Sequence, residues 1–239
     1  MFSIEKTVAY SDISSGGYAD IACIADYLQD CAAFHSDSVG GGSELLKKEK
    51  GCVWLLASWQ IIVDRYPRYG EKLKIFTQPY GFDRVFANRN FMICDEAGER
   101  IVSADSYWFL LDMNTGLPLR MREDVSGAYQ LAGKMDMAYE PRKVRAKAAV
   151  RDEGMVSVAR AYIDTNMHMN NAWYIRLAME YLPPDFMIRQ VRVDYRKAAL
   201  YPDKIRVFTG RTDTGRIQIL MKDEHDDIYA ALEFAAAEE

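Results

Sequence analysis

The sequence holds only four cysteines and three histidines among its 239 residues. Cys23, Cys31, Cys52 and Cys94 lie 8, 21 and 42 residues apart with no C-x-x-C pair, which excludes the ordinary zinc spacings and makes reduced, buried thiols the expectation. No metal or other cofactor is called for. Long apolar runs are missing as well: Val53 to Ala57 and Trp108 to Leu111 are among the longest, far short of the ~18 residues of a membrane-spanning helix. The opening 30 residues carry Asp12, Asp20, Asp26 and Asp30 and no basic segment followed by an apolar one. Neither a secretory nor a transit peptide is expected, and the chain reads as cytoplasmic. A basic excess is absent too, since 30 Lys and Arg face 35 Asp and Glu for a net charge of -5. With no glycine-rich phosphate loop either, nucleic-acid and nucleotide binding are excluded as leading functions.

What the chain does have is apolar substance, 49% hydrophobic and 12% aromatic, enough for a sizeable core. Its length suits one large domain or two small ones. An internal repeat favours two: Tyr69-Gly-Glu-Lys-Leu-Lys-Ile-Phe-Thr77 returns as Tyr201-Pro-Asp-Lys-Ile-Arg-Val-Phe-Thr209, at an offset of 132. Tyr10-Ser-Asp12 ahead of one helix is matched with Tyr162-Ile-Asp164 ahead of another.

Each half shows one helical pattern followed by strand-like alternation. Ile21, Ile24, Ala25, Leu28, Cys31 and Ala32 recur at helical spacing, and Gly40-Gly-Gly42 reads as a flexible loop beyond them. Strands are predicted over 2–10, 53–64, 72–79, 84–94 and 100–111, then over 156–163, 189–197, 204–212, 215–222 and 227–235, with a second helix over 170–182. The result is an α+β plan divided into 1–139, a linker over 140–153, and 154–239, each sheet covering its helix's apolar stripe.

Chemistry concentrates in Tyr162-Ile-Asp-Thr-Asn-Met-His-Met-Asn-Asn171. If this stretch is extended, Asp164, Asn166 and His168 share one face while Met167 and Met169 take the other. A carboxylate, an amide and an imidazole so gathered outline a hydrolytic site using water. At the helix start, Asn170 and Asn171 are candidates for binding the substrate near free N–H groups that suit a developing oxyanion. The competing reading is structural: Asn170 and Asn171 are ordinary caps, Asp and Asn ordinary turn formers, and a lone histidine in a turn is commonly just solvated. His35 and His225 read as a helix-end and a loop histidine, and the four tryptophans as core. Six basic residues between 189 and 206 against Asp194 and Asp203 make a patch of +4, whose Arg192, Arg196 and Lys204 could dock an acidic partner.

Several longer motifs resemble the acyl-acyl carrier protein thioesterases, bacterial relatives of the plant enzymes that release fatty acids from carrier protein. They are Tyr27-Leu-Gln-Asp-Cys-Ala-Ala-Phe-His35, Trp59-x-Ile-x-Val-Asp-Arg-Tyr-Pro-Arg-Tyr-Gly-Glu71, Gly81-Phe-Asp-Arg-Val-Phe-Ala-x-Arg-x-Phe91, Ser106-Tyr-Trp-Phe-Leu-Leu-Asp112, Asp164-x-Asn-x-His-x-Asn-Asn171 with Tyr174, and Val193-Asp-Tyr-Arg-Lys197. The resemblance implies two hotdog folds in tandem, an N-terminal half housing the acyl chain among residues such as Ile24, Leu28 and Trp59, and functional roles for Asp164, Asn166 and His168. It implies acyl carrier protein as partner and hydrolysis of its fatty acyl thioester as activity; a homodimer is compatible with it. In plant members the Tyr-Arg-Arg stretch is followed by Glu-Cys, both assigned catalytic roles, whereas Ala198-Ala199 stands here. A covalent cysteine route through that position is excluded. Two alternatives stay open. One is a hotdog hydratase or dehydratase, although that group resembles Asp-x-Asn-Pro-x-x-His and Met167 stands at the proline. The other is an acyl-thioester-binding protein without turnover.

Overall fold

In the computed structural model of the protein, the described residues are 1–146 and 151–237. Residues 147–150, inside the segment read as a linker, lie outside the described residues. The chain forms two compact units, Met1–Ala57 with Ile61–Glu140, and Ser58–Gln60 with Pro141–Glu239.

The first unit opens with β1 (Phe2–Thr7) and a 3-10 turn at Tyr10–Asp12. Next comes α1 (Ile21–Ser38), whose start is fixed by Asp20: its carboxylate accepts from the N–H groups of Ala22 at 3.0 Å and Cys23 at 2.9 Å. Ile21, Ile24, Leu28 and Cys31 make the helix's buried stripe. Past α2 (Ser43–Lys50) run β2 (Cys52–Val63), β3 (Lys72–Phe82), β4 (Phe86–Cys94) and β5 (Arg100–Asp112), and then the short α3 (Glu123–Ser126). In space the strands follow the order β1-β3-β4-β5-β2. The glycines predicted to loosen the chain before α2 instead permit close approach. A Cβ on Gly41 would stand 2.5 Å from the Tyr129 hydroxyl, and one on Gly42 would strike the Asp37 carboxylate. The last stretch of this unit is pinned to the sheet: Asn90 Oδ1 accepts from Met135 N at 3.0 Å and from the Tyr139 hydroxyl at 2.9 Å.

The second unit repeats the plan with β6 (Arg151–Ser157), a 3-10 turn at Arg160–Tyr162, α4 (Asn171–Met179), β7 (Ile188–Tyr195), β8 (Lys204–Arg211), β9 (Ile217–Lys222) and β10 (Ile228–Ala236). Its order, β6-β8-β9-β10-β7, is that of the first unit strand for strand. β6 begins within the segment read as linker and ends well before Ile163, because the chain leaves the sheet once Val158 N–H has paired with Asp203 O at 2.9 Å. Val8 N–H pairs with Glu71 O at the same distance, so the two units correspond at an offset of 150 ahead of the helix. The match of Tyr10 with Tyr162 is therefore two residues out of register: the turn Tyr10–Asp12 corresponds to Arg160–Tyr162.

All four cysteines are buried and free, and burial pushes the Cys23 and Cys31 thiols up to about 12. Among the described residues no His/Cys/Asp/Glu group could hold a metal ion, and no helix is long and apolar enough to cross a membrane.

Candidate active site

The segment ahead of α4 is a tight turn, not an extended strand. Asp164 N–H donates to His168 O at 2.8 Å, Met167 N–H to Asp164 O at 3.0 Å, and Ile163 bridges Met169. Asp164 decides this locally, because its Oδ1 accepts from the backbone N–H of Asn166 at 2.8 Å and of His168 at 3.4 Å, an alternative to any sheet ladder. Met167 completes the reversal with φ of 63°. The predicted alternation is thereby corrected: Met167 is 72% exposed and Met169 is 3% exposed, so the two do not share a face.

Asp164, Asn166 and His168, all half-buried, occupy this one turn. Asn166 Oδ1 is buried without a partner, which is costly unless something else supplies the hydrogen bond. The turn is held from outside where Met169 N–H donates to Ala199 O at 2.8 Å. The Ala199 N–H in turn donates to the Tyr174 hydroxyl of α4 at 2.9 Å. Burial pushes that hydroxyl up to about 12, so it stays protonated at neutral pH. Asn170 caps the helix, its Oδ1 accepting from Ala172 N–H at 2.9 Å, and the Asn171 carbonyl accepts from the Tyr195 hydroxyl at 2.9 Å. The cap occupies one of the N–H groups that the sequence offered to an oxyanion.

Comparison with known proteins identifies the family. The acyl-ACP thioesterase N-terminal domain matches residues 1–129 and the acyl-ACP thioesterase C-terminal domain residues 146–235. The chain belongs to the acyl-ACP thioesterase family. An oleoyl-acyl carrier protein thioesterase of Arabidopsis thaliana is 24% identical over 229 residues, 87% of this chain and 63% of its own length. A palmitoyl-acyl carrier protein thioesterase of the same plant is 25% identical over 78% of this chain and 49% of its own. The chain thus spans about half to two thirds of these relatives. Among solved structures, an acyl-ACP thioesterase from Bacteroides thetaiotaomicron superposes with a TM-score of 0.89 at 20% identity, covering 98% of this chain and 97% of that one. The 12:0-ACP thioesterase from Umbellularia californica gives 0.82 at 18%, covering 100% and 97%. The tandem hotdog fold follows, one in each unit.

Against that family background the remaining expected residues fall into place unevenly. Ala198 is exposed, whereas Ala199 is buried with both backbone polar groups committed to the turn and Tyr174. Ile24 and Leu28 are fully buried on α1; Trp59, 2% exposed on β2, counts with the second unit. Arg192 was expected on a docking surface and is corrected. It is 7% exposed because β7 is covered on both faces, and its guanidinium meets its cross-strand partner Glu233 at 2.7 Å. Burial alone would raise Glu233, yet Gln218, Arg216 and Arg192 hold its carboxyl below the usual range. Arg196 and Lys204 are exposed, Arg196 pairing with Asp194 at 2.9 Å.

Sequence inspection also missed a pairing in the first unit. Among the described residues His35, at the end of α1, bonds no helix carbonyl through its ring; its Nδ1 accepts from Nη1 of Arg89 at 2.8 Å, and the ring stacks on Phe2 at 5.1 Å. His35 ends one of the family motifs and Arg89 lies inside another, and nothing in their local sequence announces that the motifs meet.

Proposed function

We propose that this chain hydrolyses the thioester of a fatty acyl group carried on acyl carrier protein, working in the cytoplasm and releasing free acid and carrier thiol. The observation that carries the reading is the unpartnered, buried Asn166 Oδ1 on the same turn as Asp164 and His168, in a chain of this family. Asn166 Oδ1 accepts from a water and aims it at the thioester carbonyl. His168 takes the proton as oxygen bonds to carbon, and returns it to sulfur as the carbon–sulfur bond breaks. Asp164 fixes the turn through Oδ1 and leaves Oδ2, which has no partner among the described residues, to orient the imidazole or the water. The acyl chain lies in the first unit beside Ile24 and Leu28.

Carrier proteins are acidic, so docking falls to exposed cations of the second unit, Arg196 and Lys204. Exposed charges mainly set the encounter rate and are screened over ~8 Å at physiological salt. Turnover of acyl-carrier substrate should fall with salt much more than turnover of a short coenzyme A ester; equal dependence contradicts the docking surface. The test of the activity itself is sustained release of free thiol from a panel of acyl-carrier proteins of varied chain length. Ala198 and Ala199 favour a second reading, a binder without turnover, which predicts tight acyl-carrier binding and no thiol release.

A further inference from the structure

Strand alternation puts Arg89 of β4 on one face with Ala87, Phe91 and Ile93, all buried. Residues on such a face are ordinarily apolar, and an unpaired charge among them is strongly disfavoured. Arg89 is nevertheless 7% exposed and has no carboxylate within ion-pair distance among the described residues. Its contacts are all neutral: Nη1 donates to His35 Nδ1 at 2.8 Å and to Thr77 Oγ1 at 3.2 Å, and the guanidinium lies 5.6 Å from the Tyr129 ring centre.

These neutral partners leave a surplus of donors. Because His35 accepts at Nδ1, its proton sits on Nε2 and adds another N–H. Burial, Arg89 and the N-terminal ammonium pull this imidazole down to about 4, so it is neutral at physiological pH and offers no counter-charge. Burial likewise pulls Arg89 down to about 10, which still leaves it a cation. Nε and Nη2 of Arg89 carry N–H groups beyond the two contacts made by Nη1. Tyr129 joins this polar group to an apolar cluster of Leu46, Cys52 and Leu110, with Trp54 and Phe82 packed against it. Its own hydroxyl is buried without a partner.

We propose that Arg89 and His35 form a recognition site for an oxygen acceptor at the end of the acyl chain, a terminal hydroxyl or carboxylate, so that the first unit selects oxygenated chains over plain ones. The acceptor belongs at the chain's end because the cluster that Tyr129 joins is apolar and suits methylene groups. The inference rests on the reading that the first unit receives the acyl chain.

The test presents three thioesters of equal chain length on one carrier protein: a saturated chain, the same chain with a terminal hydroxyl, and the same chain with a terminal carboxylate. A site built to bond an oxygen rejects the analogue lacking it, so the parent should favour the oxygenated chains by about tenfold or more in kcat/KM. Arg89→Met should erase that ratio, and His35→Gln should reduce it. A parent that treats the three alike, or prefers the saturated chain, overturns the proposal even if Arg89→Met does not fold. Calorimetry with the monomethyl ester of a dicarboxylic acid and the methyl ester of the matching monocarboxylic acid, which differ only in the terminal carboxylate, separates this from the activity. If no thioester is cleaved, hydrolysis is the failed reading, and tighter binding of the carboxylate-bearing ester by the parent than by His35→Gln still upholds the site. Equal binding of the two esters by the parent overturns it.

Discussion

The two turns that precede α1 and α4 have the same backbone and different contents. Ser14 N–H donates to Tyr18 O at 2.9 Å as Asp164 N–H does to His168 O at 2.8 Å. Gly17 takes φ of 75° where Met167 takes 63°. Ala19 N–H reaches Pro67 O at 2.9 Å as Met169 N–H reaches Ala199 O at 2.8 Å. Yet Ser14, Gly16 and Tyr18 stand where the second turn has Asp164, Asn166 and His168. The first turn is also closed to that chemistry: the Tyr18 ring folds over Gly16 so tightly that any Cβ there would strike it, and it packs on Tyr66 at 5.0 Å. A duplicated scaffold therefore supplies the turn twice and the proposed reacting groups once, which separates what the fold requires from what the proposed chemistry adds.

Removing the imidazole should widen that difference most. His168→Ala should lower turnover by about a hundredfold or more, the range for a lost acid-base group, while Tyr18→Ala at the matching position should leave the rate within a few-fold; thiol release on both variants checks it. Near-normal turnover by a folded His168→Ala removes the assignment. Next is the joint behind the turn. Tyr174→Phe deprives the buried Ala199 N–H of its acceptor, which should cost ~1 to 3 kcal/mol in denaturant unfolding and, by letting the turn drift, about tenfold in kcat. A full stability loss with unchanged kcat would make Tyr174 a packing residue alone. The left-handed position gives a smaller effect: Gly17→Met should destabilise by ~1 to 2 kcal/mol, whereas Met167→Gly should be neutral or slightly stabilising. Equal melting shifts in the two would contradict the matching of the turns. Smallest is the family departure. Ala198 is exposed, so Ala198→Glu can be housed without repacking and should raise turnover several-fold if the site lacks an acceptor for its water. A folded variant no faster than the parent would show the water site already complete.

The strands were legible because their alternation is strong: β3 and β8 were located together by the Tyr69 and Tyr201 repeat, which pairs Lys72 with Lys204 at the head of each. The turns were not, because their likeness is in hydrogen bonds and φ angles and not in side chains. Tyr10 and Tyr162 invited a match two residues off, although Val8-Ala9 and Ile13 answer Val158-Ala159 and Ile163 at the register the structure uses. Asp164 was legible as a carboxylate but not as the group that bends its own segment, since an Asx turn depends on where the next N–H groups point. Arg192 misled because alternation cannot tell a solvated strand face from one covered on both sides; only Glu233 across the sheet reveals it. Arg89 and His35 are 54 residues apart, and no local pattern encodes their meeting.

The most direct test converts the second turn's contents into those of the first, with Asp164→Ser, Asn166→Gly and His168→Tyr combined, and measures sustained thiol release from acyl-carrier protein alongside the melting temperature. The shared backbone predicts a folded protein that melts near the parent, and the confinement of chemistry to one turn predicts turnover at background. A folded triple variant that still turns over at a substantial fraction of the parent rate would contradict the account, and would place the reacting groups elsewhere in the chain.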